Sequence, residues 1–396
     1  MSLRALHVIP AVAPRYGGPS HAVVAMCRAL AEAGVDATIA TTDADGAGRL
    51  DVPLGETTEW HGVPAVFFRR DASESFKYSR GLGRWLRGHV PGFDVVHVHA
   101  VLSYAPIAAA AAARKAGVPY VVRPLGTLAV WSLGQRSLRK RALLALAASR
   151  MLHGAAAIQY TSRAEWRDAE AALRLSRGVV IPLGTDAALL DAPPAPLDGP
   201  EPYVLALARL HPKKNLGPLI EGFLDATDSA DRRAWRLIVA GDGDPGYVAA
   251  LEQAAAGRGA GRVRLEGWVE GERKRGLIAG ASLFALPSLQ ENFGLSLVEA
   301  MAAGVPALVS ARVDLAADVE AAGAGWIAGT SRGELAAALA DATASLEERR
   351  RRGLAARELA RRFSWPAIAR DLASLYARLA ARPAAATGDP VKLAVS

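Results

Sequence analysis

Residues 285–310 read ALPSLQENFGLSLVEAMAAGVPALVS, and the fold is decided there. The apolar run Ala281 to Leu286 has strand length and is flanked by Gly280 and Pro287. A polar turn follows, and a helix is expected from about Leu295, with Leu297, Val298 and Met301 at core-facing spacing. Gly304-Val305-Pro306 stops that helix, and Ala307-Leu308-Val309 opens the next strand. Two carboxylates mark this unit. Glu291 lies in the turn, and Glu299, eight residues on, lies about one turn inside the helix. The amides of Asn292, Phe293, Gly294 and Leu295 gather at the helix start, where the dipole favours an anion or a polyhydroxylated ligand. A carboxylate accepts hydrogen bonds from two vicinal hydroxyls at once. Two carboxylates flanking an anion site suit a molecule with hydroxyls at both ends and phosphate between them, such as a nucleotide sugar. The spacing of the glutamates says little by itself, since such pairs are common in helical chains.

The context says more. Pro287 to Ser310 closely resembles the signature of retaining glycosyltransferases of family 4, with strand, turn, both glutamates, helix and Gly-x-Pro ending all in place. The resemblance implies the GT-B fold, two Rossmann-like α/β domains facing each other across a cleft, with a C-terminal helix crossing back to the first.

Composition agrees with two domains. The chain has 396 residues, 51% hydrophobic and 22% charged, ample for two packed cores. Cys27 is the one cysteine, so no disulfide forms within the chain and no cysteine-rich metal site is expected. No run of about eighteen apolar residues stands out as a membrane span. The N-terminus enters a strand directly, and a cytoplasmic protein is the expectation. A net charge of +8 points to anionic partners without distinguishing phosphates, lipids and nucleic acid.

Taken in order, residues 4–9 read as a strand, then the loop PAVAPRYGGPS and a helix from about Ser20, its cap, to Ala33, with Gly34 ending it. Gly17 and Gly18 would let backbone amides approach a phosphate or sugar closely. They do not form the G-x-G-x-x-G dinucleotide fingerprint, which argues against a nicotinamide or flavin enzyme. Further strands alternate with helices, as a parallel sheet requires. The region Val95–Ala164 carries nine cations and no acidic residue. Within it, Trp131, Leu133, Leu138, Leu143, Leu146 and Leu152 interleave with Arg136, Arg139, Lys140, Arg141 and Arg150. That pattern fits either an anionic membrane surface or an ordinary solvated helix face. Nucleic acid is not expected, since no recognised binding module accompanies the charge.

The expected organisation is a first domain over 1–188, a proline-rich linker over 189–202, a second domain over 203–364, a crossing helix over 365–382 and a flexible tail over 383–396. In the second domain, Arg209 and Lys214 are five apart across a strand–helix joint, so a planar fork and a mobile point charge converge on one diphosphate. They resemble the family's Gly-Arg-Leu…Lys element, with Ala208 where glycine is common. Gly241 sits in a turn, WRLIVAGDGD, at the end of another strand. Asp242-Gly243-Asp244 and Asp43-Ala44-Asp45 spell the Asp-x-Asp metal motif of the other, single-domain glycosyltransferase fold. Turn chemistry explains the first pair equally well, and no metal site is expected.

His97 and His99 fall on one face of a strand. Many family members carry a histidine in a T-x-H-G element beside the transferring sugar. Here the element reads YVVRPLGTL, with Leu125 in that slot, leaving His99 and Arg123 as candidates for the acceptor or sugar side.

The resemblance, running from about residue 4 to 380, implies transfer of a hexose from a UDP- or GDP-linked sugar to a saccharide or lipid-linked acceptor in exopolysaccharide or cell-envelope glycan synthesis. It implies retained configuration, through a short-lived ion pair whose leaving diphosphate helps deprotonate the acceptor. Glu291, Arg209 and Lys214 would be catalytic. Gly17, Gly18, Gly241, Asn292, Phe293, Gly294, Leu295 and Glu299 would join Arg209 and Lys214 in binding the donor. No cofactor is expected, and peripheral attachment to the inner face of the membrane follows if the basic region meets lipid. A nucleotide-sugar 2-epimerase of the same architecture is the alternative.

Overall fold

The computed structural model describes residues 2–125, 138–185, 187–197, 199 and 201–381. The chain divides into two units, one made of 1–184 with 365–396 and the other of 185–364.

In the first unit the strands are β1 (Leu3–Ala11), β2 (Val35–Thr42), β3 (Ala44–Asp45), β4 (Gly48–Arg49), β5 (Thr57–Trp60), β6 (Val63–Phe68), β7 (Val95–His99), β8 (Tyr120–Arg123), β9 (Ala157–Tyr160) and β10 (Gly178–Val180). Eight of them form one sheet in the order β10-β9-β8-β7-β1-β2-β6-β5, parallel except for β5; β3 and β4 pair as a small hairpin. The helices are α1 (Gly18–Glu32), α2 (Arg80–His89), α3 (Tyr104–Ala116), α4 (Leu138–His153) and α5 (Arg163–Leu173). The central strands are continuous apolar runs because helices cover both faces. Leu82, Leu86, Ala105, Ala109 and Met151 pack one face. On the other, Val23, Met26 and Leu30 of α1 meet Ile368, Leu372 and Tyr376 from the end of the chain.

The second unit holds α6 (Ala187–Asp191), β11 (Tyr203–Leu207), α7 (Leu216–Ala226), β12 (Arg236–Ala240), α8 (Pro245–Ala256), β13 (Val263–Gly267), α9 (Gly271–Ala279), β14 (Leu283–Leu286), α10 (Leu295–Ala302), β15 (Ala307–Ser310), α11 (Ala316–Ala321), β16 (Gly325–Ala328), α12 (Arg332–Ala344) and α13 (Leu346–Ala360). Its sheet is wholly parallel, in the order β13-β12-β11-β14-β15-β16. Leu219, Phe223, Leu335 and Leu339 fill the core between β11–β12 and helices α7 and α12. The last helix, α14 (Trp365–Ala380), belongs to the first unit. This is the α/β fold of two Rossmann-like units expected from the sequence.

Three expectations need adjustment. Helix α1 begins at Gly18 rather than at Ser20, with Gly17 as its cap and Pro19 in the first turn. Ser20 is therefore inside the helix, and its buried hydroxyl has no hydrogen-bond partner among the described residues. The proline-rich segment is not a free linker, because it is part of the second unit. Leu190 and Leu197 are buried, Ala195 N–H donates to Ala303 O (2.7 Å), and Arg357 Nη2 donates to the carbonyls of Leu190 and Ala192. In the basic region, Trp131, Leu133 and Arg136 lie outside the described residues, as does the tail 383–396. On α4, Met151 and Leu152 are buried in the core while Leu146 is exposed, so only part of the apolar stripe is open to a membrane. Among the described residues no helix is long and apolar enough to cross one.

Candidate active site

Each sheet changes winding direction once, at β1/β7 in the first unit and at β11/β14 in the second. Open α/β sheets bind ligands at such a switch point, outside the carboxyl ends of the strands. In the second unit the loop after β11 carries Arg209 to Lys214, and the neighbouring loop after β14 carries Glu291.

The first of these loops concentrates positive charge. Arg209 is exposed and makes no ion pair among the described residues. A short 3-10 turn, Pro212–Lys214, closes on Asn215 in a left-handed conformation (φ 58°), which swings Lys213 and Lys214 towards the β14 loop. Lys213 has its pKa lowered by burial, then by Arg209 and Lys214. His211 is lowered by burial, then by Arg209, Lys213 and Lys214. Cations this close repel one another, and an anion between them relieves the repulsion.

The second loop answers with carboxylate. Lys214 Nζ forms an ion pair with Glu291 Oε2, and Lys213 Nζ donates to Gln290 Oε1 (3.3 Å). The Glu291 backbone is held on both sides, N–H to Arg312 O (3.2 Å) and C=O from Asp314 N–H (2.9 Å). Gly294 caps α10 at φ 73°, where a Cβ would meet Leu286 Cδ2 at 2.9 Å. Phe293 is buried edge-on against Phe363, with ring centroids 5.6 Å apart, which fixes the turn. Asn292 and Leu295 stay half-buried around the helix start. One turn into α10, Glu299 accepts from Lys274 Nζ on α9 at 2.6 Å.

Gly241 has a packing reason to be glycine. At φ 139°, its Cβ position would lie 1.9 Å from Ala208 O, and its N–H donates to Gly267 O (2.8 Å). It lets the ends of β11 and β12 close on each other, with its amide already used. The Asp-x-Asp pairs are also engaged: Asp244 caps α8 through Gly246 and Tyr247 N–H (3.0 and 3.2 Å), and Asp43 accepts from Arg70 N–H (2.7 Å).

In the first unit, Gly17 adopts φ 71°, ψ −141°, a conformation that favours glycine. The neighbouring Tyr16 braces it: its hydroxyl donates to Glu74 Oε1 (2.5 Å) and accepts from Gly46 N–H (2.8 Å), and Lys77 Nζ lies 4.6 Å from its ring centroid. At Gly18 the backbone is helical and, among the described residues, no atom lies within 4 Å of a Cβ position. None of them therefore requires glycine at 18. Gly18→Ala is expected to leave stability within about 0.5 kcal/mol of wild type, yet to lower kcat/KM on the order of tenfold by crowding the substrate. Wild-type kinetics in this variant would remove the loop from the site.

His99 and Arg123, the candidates for the acceptor or sugar side, are buried beneath α14 rather than open at the strand ends. His7, His97 and His99 share one face, each fully buried. Burial, with Arg123 adding to it, holds His7 down to about 3 and His97 and His99 well below the ordinary imidazole range. Their folded pKa values lie below the unfolded value of 6.5, so the stability they contribute is present above that pH and is lost as pH falls towards 3. His7 alone is expected to cost on the order of 2 kcal/mol by about pH 5. Urea midpoints near pH 7.5 and pH 5 test this, and a level midpoint would contradict it.

Sequence reasoning missed Lys274, Lys213 and the Tyr16–Glu74 brace. No spacing rule joins Lys274 to a glutamate 25 residues on. Lys213 was visible as the neighbour of Lys214, and its repulsion is the signal that was available.

A family model described as Glycosyl transferase 4-like domain matches residues 17–184, and one described as Glycosyl transferases group 1 matches residues 201–348. The chain is similar to a GDP-mannose:cellobiosyl-diphosphopolyprenol alpha-mannosyltransferase of Komagataeibacter xylinus, 23% identical over 402 residues, 96% of this chain and 94% of the relative. It is also similar to a phosphatidyl-myo-inositol mannosyltransferase of Mycobacterium leprae, 29% identical over 216 residues, 52% of this chain and 54% of the relative. Among solved structures, sucrose-phosphate synthase from Thermosynechococcus elongatus aligns with a TM-score of 0.73 at 22% identity, covering 95% of this chain and 99% of that one. Anabaena HepE, solved in complex with UDP and glucose, aligns with a TM-score of 0.74 at 20% identity, covering 95% and 100%. At such identities the structures speak for the fold alone. The two family models span most of the chain between them, the second takes in both Glu291 and the Arg209–Lys214 loop, and the chain belongs to the glycosyltransferases of family 4.

Proposed function

We propose that this glycosyltransferase moves a hexose from a nucleotide diphosphate sugar to a lipid-linked saccharide, with retention of configuration and without a metal ion. The observation that carries the reading is the cationic loop Arg209–Lys214 set beside Glu291 at the switch point of the second sheet. Features along the carboxyl edge of that sheet follow the order of a nucleotide sugar. Trp268, half exposed just past β13, offers a face for the base. Arg209 and Lys214, past β11, meet the diphosphate, and Glu291, past β14, meets the sugar hydroxyls. Three strand spacings separate the ends, about 14 Å, a length that suits such a ligand. Glu299 is assigned to the ribose. In the first unit Gly17 and Gly18 are assigned to the acceptor and phosphate; in the second, Asn292, Phe293, Gly294 and Leu295 present the helix start.

Arg209 and Lys214 stabilise the diphosphate as it gains charge on departure, which supports catalysis without a metal. No carboxylate is assigned as nucleophile. The bond from the anomeric carbon to the diphosphate oxygen breaks to a short-lived ion pair, and that oxygen takes the acceptor's hydroxyl proton as the new bond forms on the same face. Both curated relatives named above are mannosyltransferases, and the first uses GDP-mannose by name. GDP-mannose is therefore the first donor to test, with UDP-glucose second. The same transferase relatives and family descriptions do not favour the 2-epimerase alternative.

The test incubates each donor with EDTA, with and without a diphosphopolyprenol-linked saccharide, and follows products by NMR. The expected result is a glycoside of unchanged anomeric configuration, formed only with acceptor. An isomeric nucleotide sugar without acceptor, or inverted product, would refute the reading.

A further inference from the structure

The first unit carries a layer of buried polar side chains that the chemistry above leaves without a task. His7 on β1, His97 and His99 on β7, Arg123 on β8 and Gln159 on β9 are each at most 1% exposed. Their alternation along the strands puts them on the face covered by α14. His7 is opposite His97 and His99 opposite Arg123; Gln159 continues the row, two residues past the Val121–Ala157 pair.

Part of the layer is satisfied. His7 Nδ1 and His99 Nε2 are 3.1 Å apart, and the Tyr376 hydroxyl of α14 lies 2.5 Å from His97 Nδ1 and 3.4 Å from His7 Nε2. The rest is not. His97 Nε2, His99 Nδ1, Arg123 Nε, Arg123 Nη1 and Gln159 Oε1 are buried with no hydrogen-bond partner among the described residues. Arg123 makes no ion pair among the described residues. Glu165 acts on it only through space, with Oε2 already accepting from Thr161 N–H and Oγ1 at 2.8 Å each. A fully buried guanidinium with open N–H groups is among the least favourable states a side chain can take. The backbone beside it is unusual too. Ala100, one residue past β7, and Leu125, two past β8, both have positive φ (73° and 57°) without being glycine, and such strain gathers at ligand sites.

We propose that this layer is a phosphate site of the first unit, in which Arg123 donates to a phosphate group through Nε and Nη1 and His99 donates through Nδ1. Burial keeps the three imidazoles neutral, so Arg123 is the layer's one formal charge and an anion is what balances it. Nitrogens of His7, His97 and His99 also approach within 4.8 Å of one another. A divalent cation is disfavoured there, because the rings already share hydrogen bonds and the guanidinium beside them repels it. The acceptor's lipid phosphate is the source that the transferase reading supplies; that assignment rests on the reading, and the anion site itself does not.

The test uses the full chain and inorganic phosphate. Thermal midpoints of Arg209→Ala/Lys214→Ala, which lacks two cations of the second unit's loop, and of the same variant carrying Arg123→Gln or Arg123→Lys are compared in phosphate and in chloride at equal ionic strength. The double variant is expected to gain a few degrees in phosphate, the addition of Arg123→Lys to keep part of that, and the addition of Arg123→Gln to abolish it. A full gain with Arg123→Gln, or no gain in the double variant, overturns the proposal. If Arg123→Gln does not fold, wild-type crystals soaked in tungstate decide: an anomalous peak within hydrogen-bond reach of Arg123 supports the site, and its absence from the layer overturns it. A short-chain prenyl diphosphate then tests the source: in the double variant it is expected to suppress the gain from inorganic phosphate, and a gain that persists overturns the assignment to the acceptor. A phosphate response at Arg123 in a protein that transfers no sugar would leave this site standing while the transferase reading fell.

Discussion

Lys214→Ala lowers kcat/KM for the donor sugar by about ten- to a hundredfold, the equivalent of one charge-assisted hydrogen bond worth about 1.5–3 kcal/mol. The reason lies in when the bond matters most. The diphosphate gains negative charge as it leaves, so a fixed cation stabilises the transition state more than the bound donor, and kcat falls further than KM rises. In the free protein Lys214 is paired with Glu291, and both side chains are only partly exposed, at 17% and 18%. A pair at that depth also contributes to folding, since removing Lys214 leaves the Glu291 carboxylate without that partner, so the variant's melting midpoint is measured beside its kinetics. Wild-type kinetics in Lys214→Ala would take the cationic loop out of the chemistry. Restoration of activity by Mn²⁺ alone would move the charge to the Asp-x-Asp carboxylates instead.

The two glutamates are expected to separate cleanly. Glu299→Ala should weaken binding of donor and of free nucleoside diphosphate alike, by about ten- to a hundredfold, since a carboxylate holding two ribose hydroxyls makes charge-assisted bonds of the size given above. Its loss also leaves Lys274 without the carboxylate it donates to. Glu291→Ala should leave free nucleoside diphosphate within about threefold of wild type and depress turnover on the order of a hundredfold, because the role proposed for it is on the transferring sugar. Isothermal titration of both variants, beside steady-state kinetics, reads the split. Equal loss of free nucleotide in both would collapse the two roles into one.

Much of this was legible in residues 285–310. The strands there are apolar runs because both faces of a parallel sheet are covered, and the helix ends where Gly304 takes φ 80°. The placement of Glu291, Gly294 and Glu299 in a turn and helix, and of Arg209 and Lys214 at a strand–helix joint, follows from local chain geometry and was readable for the same reason. What was not legible needed the third dimension. Ser20 has the composition of a cap, yet Pro19 is accommodated in the first turn and the cap falls to Gly17. The proline-rich segment has no periodicity to show that Pro194 rests on Gly304, whose Cβ position is 2.9 Å from it. Gly241 looks like a phosphate turn in sequence, and the close approach to Ala208 O, which also requires glycine there, needed the structure to be seen. Arg123 stands in a run of cations that reads as surface, while its pairing with His99 puts it in the core.

The central claim is that the carboxyl edge of the second sheet holds a nucleoside diphosphate. Titrating GDP and UDP into wild type and into the Arg209→Ala/Lys214→Ala variant in EDTA tests it most directly. The account predicts saturable one-to-one binding of one of them to wild type, weakened on the order of a hundredfold or more when both cations are removed. Unchanged affinity in the double variant, or no binding of either nucleotide to wild type, would contradict it.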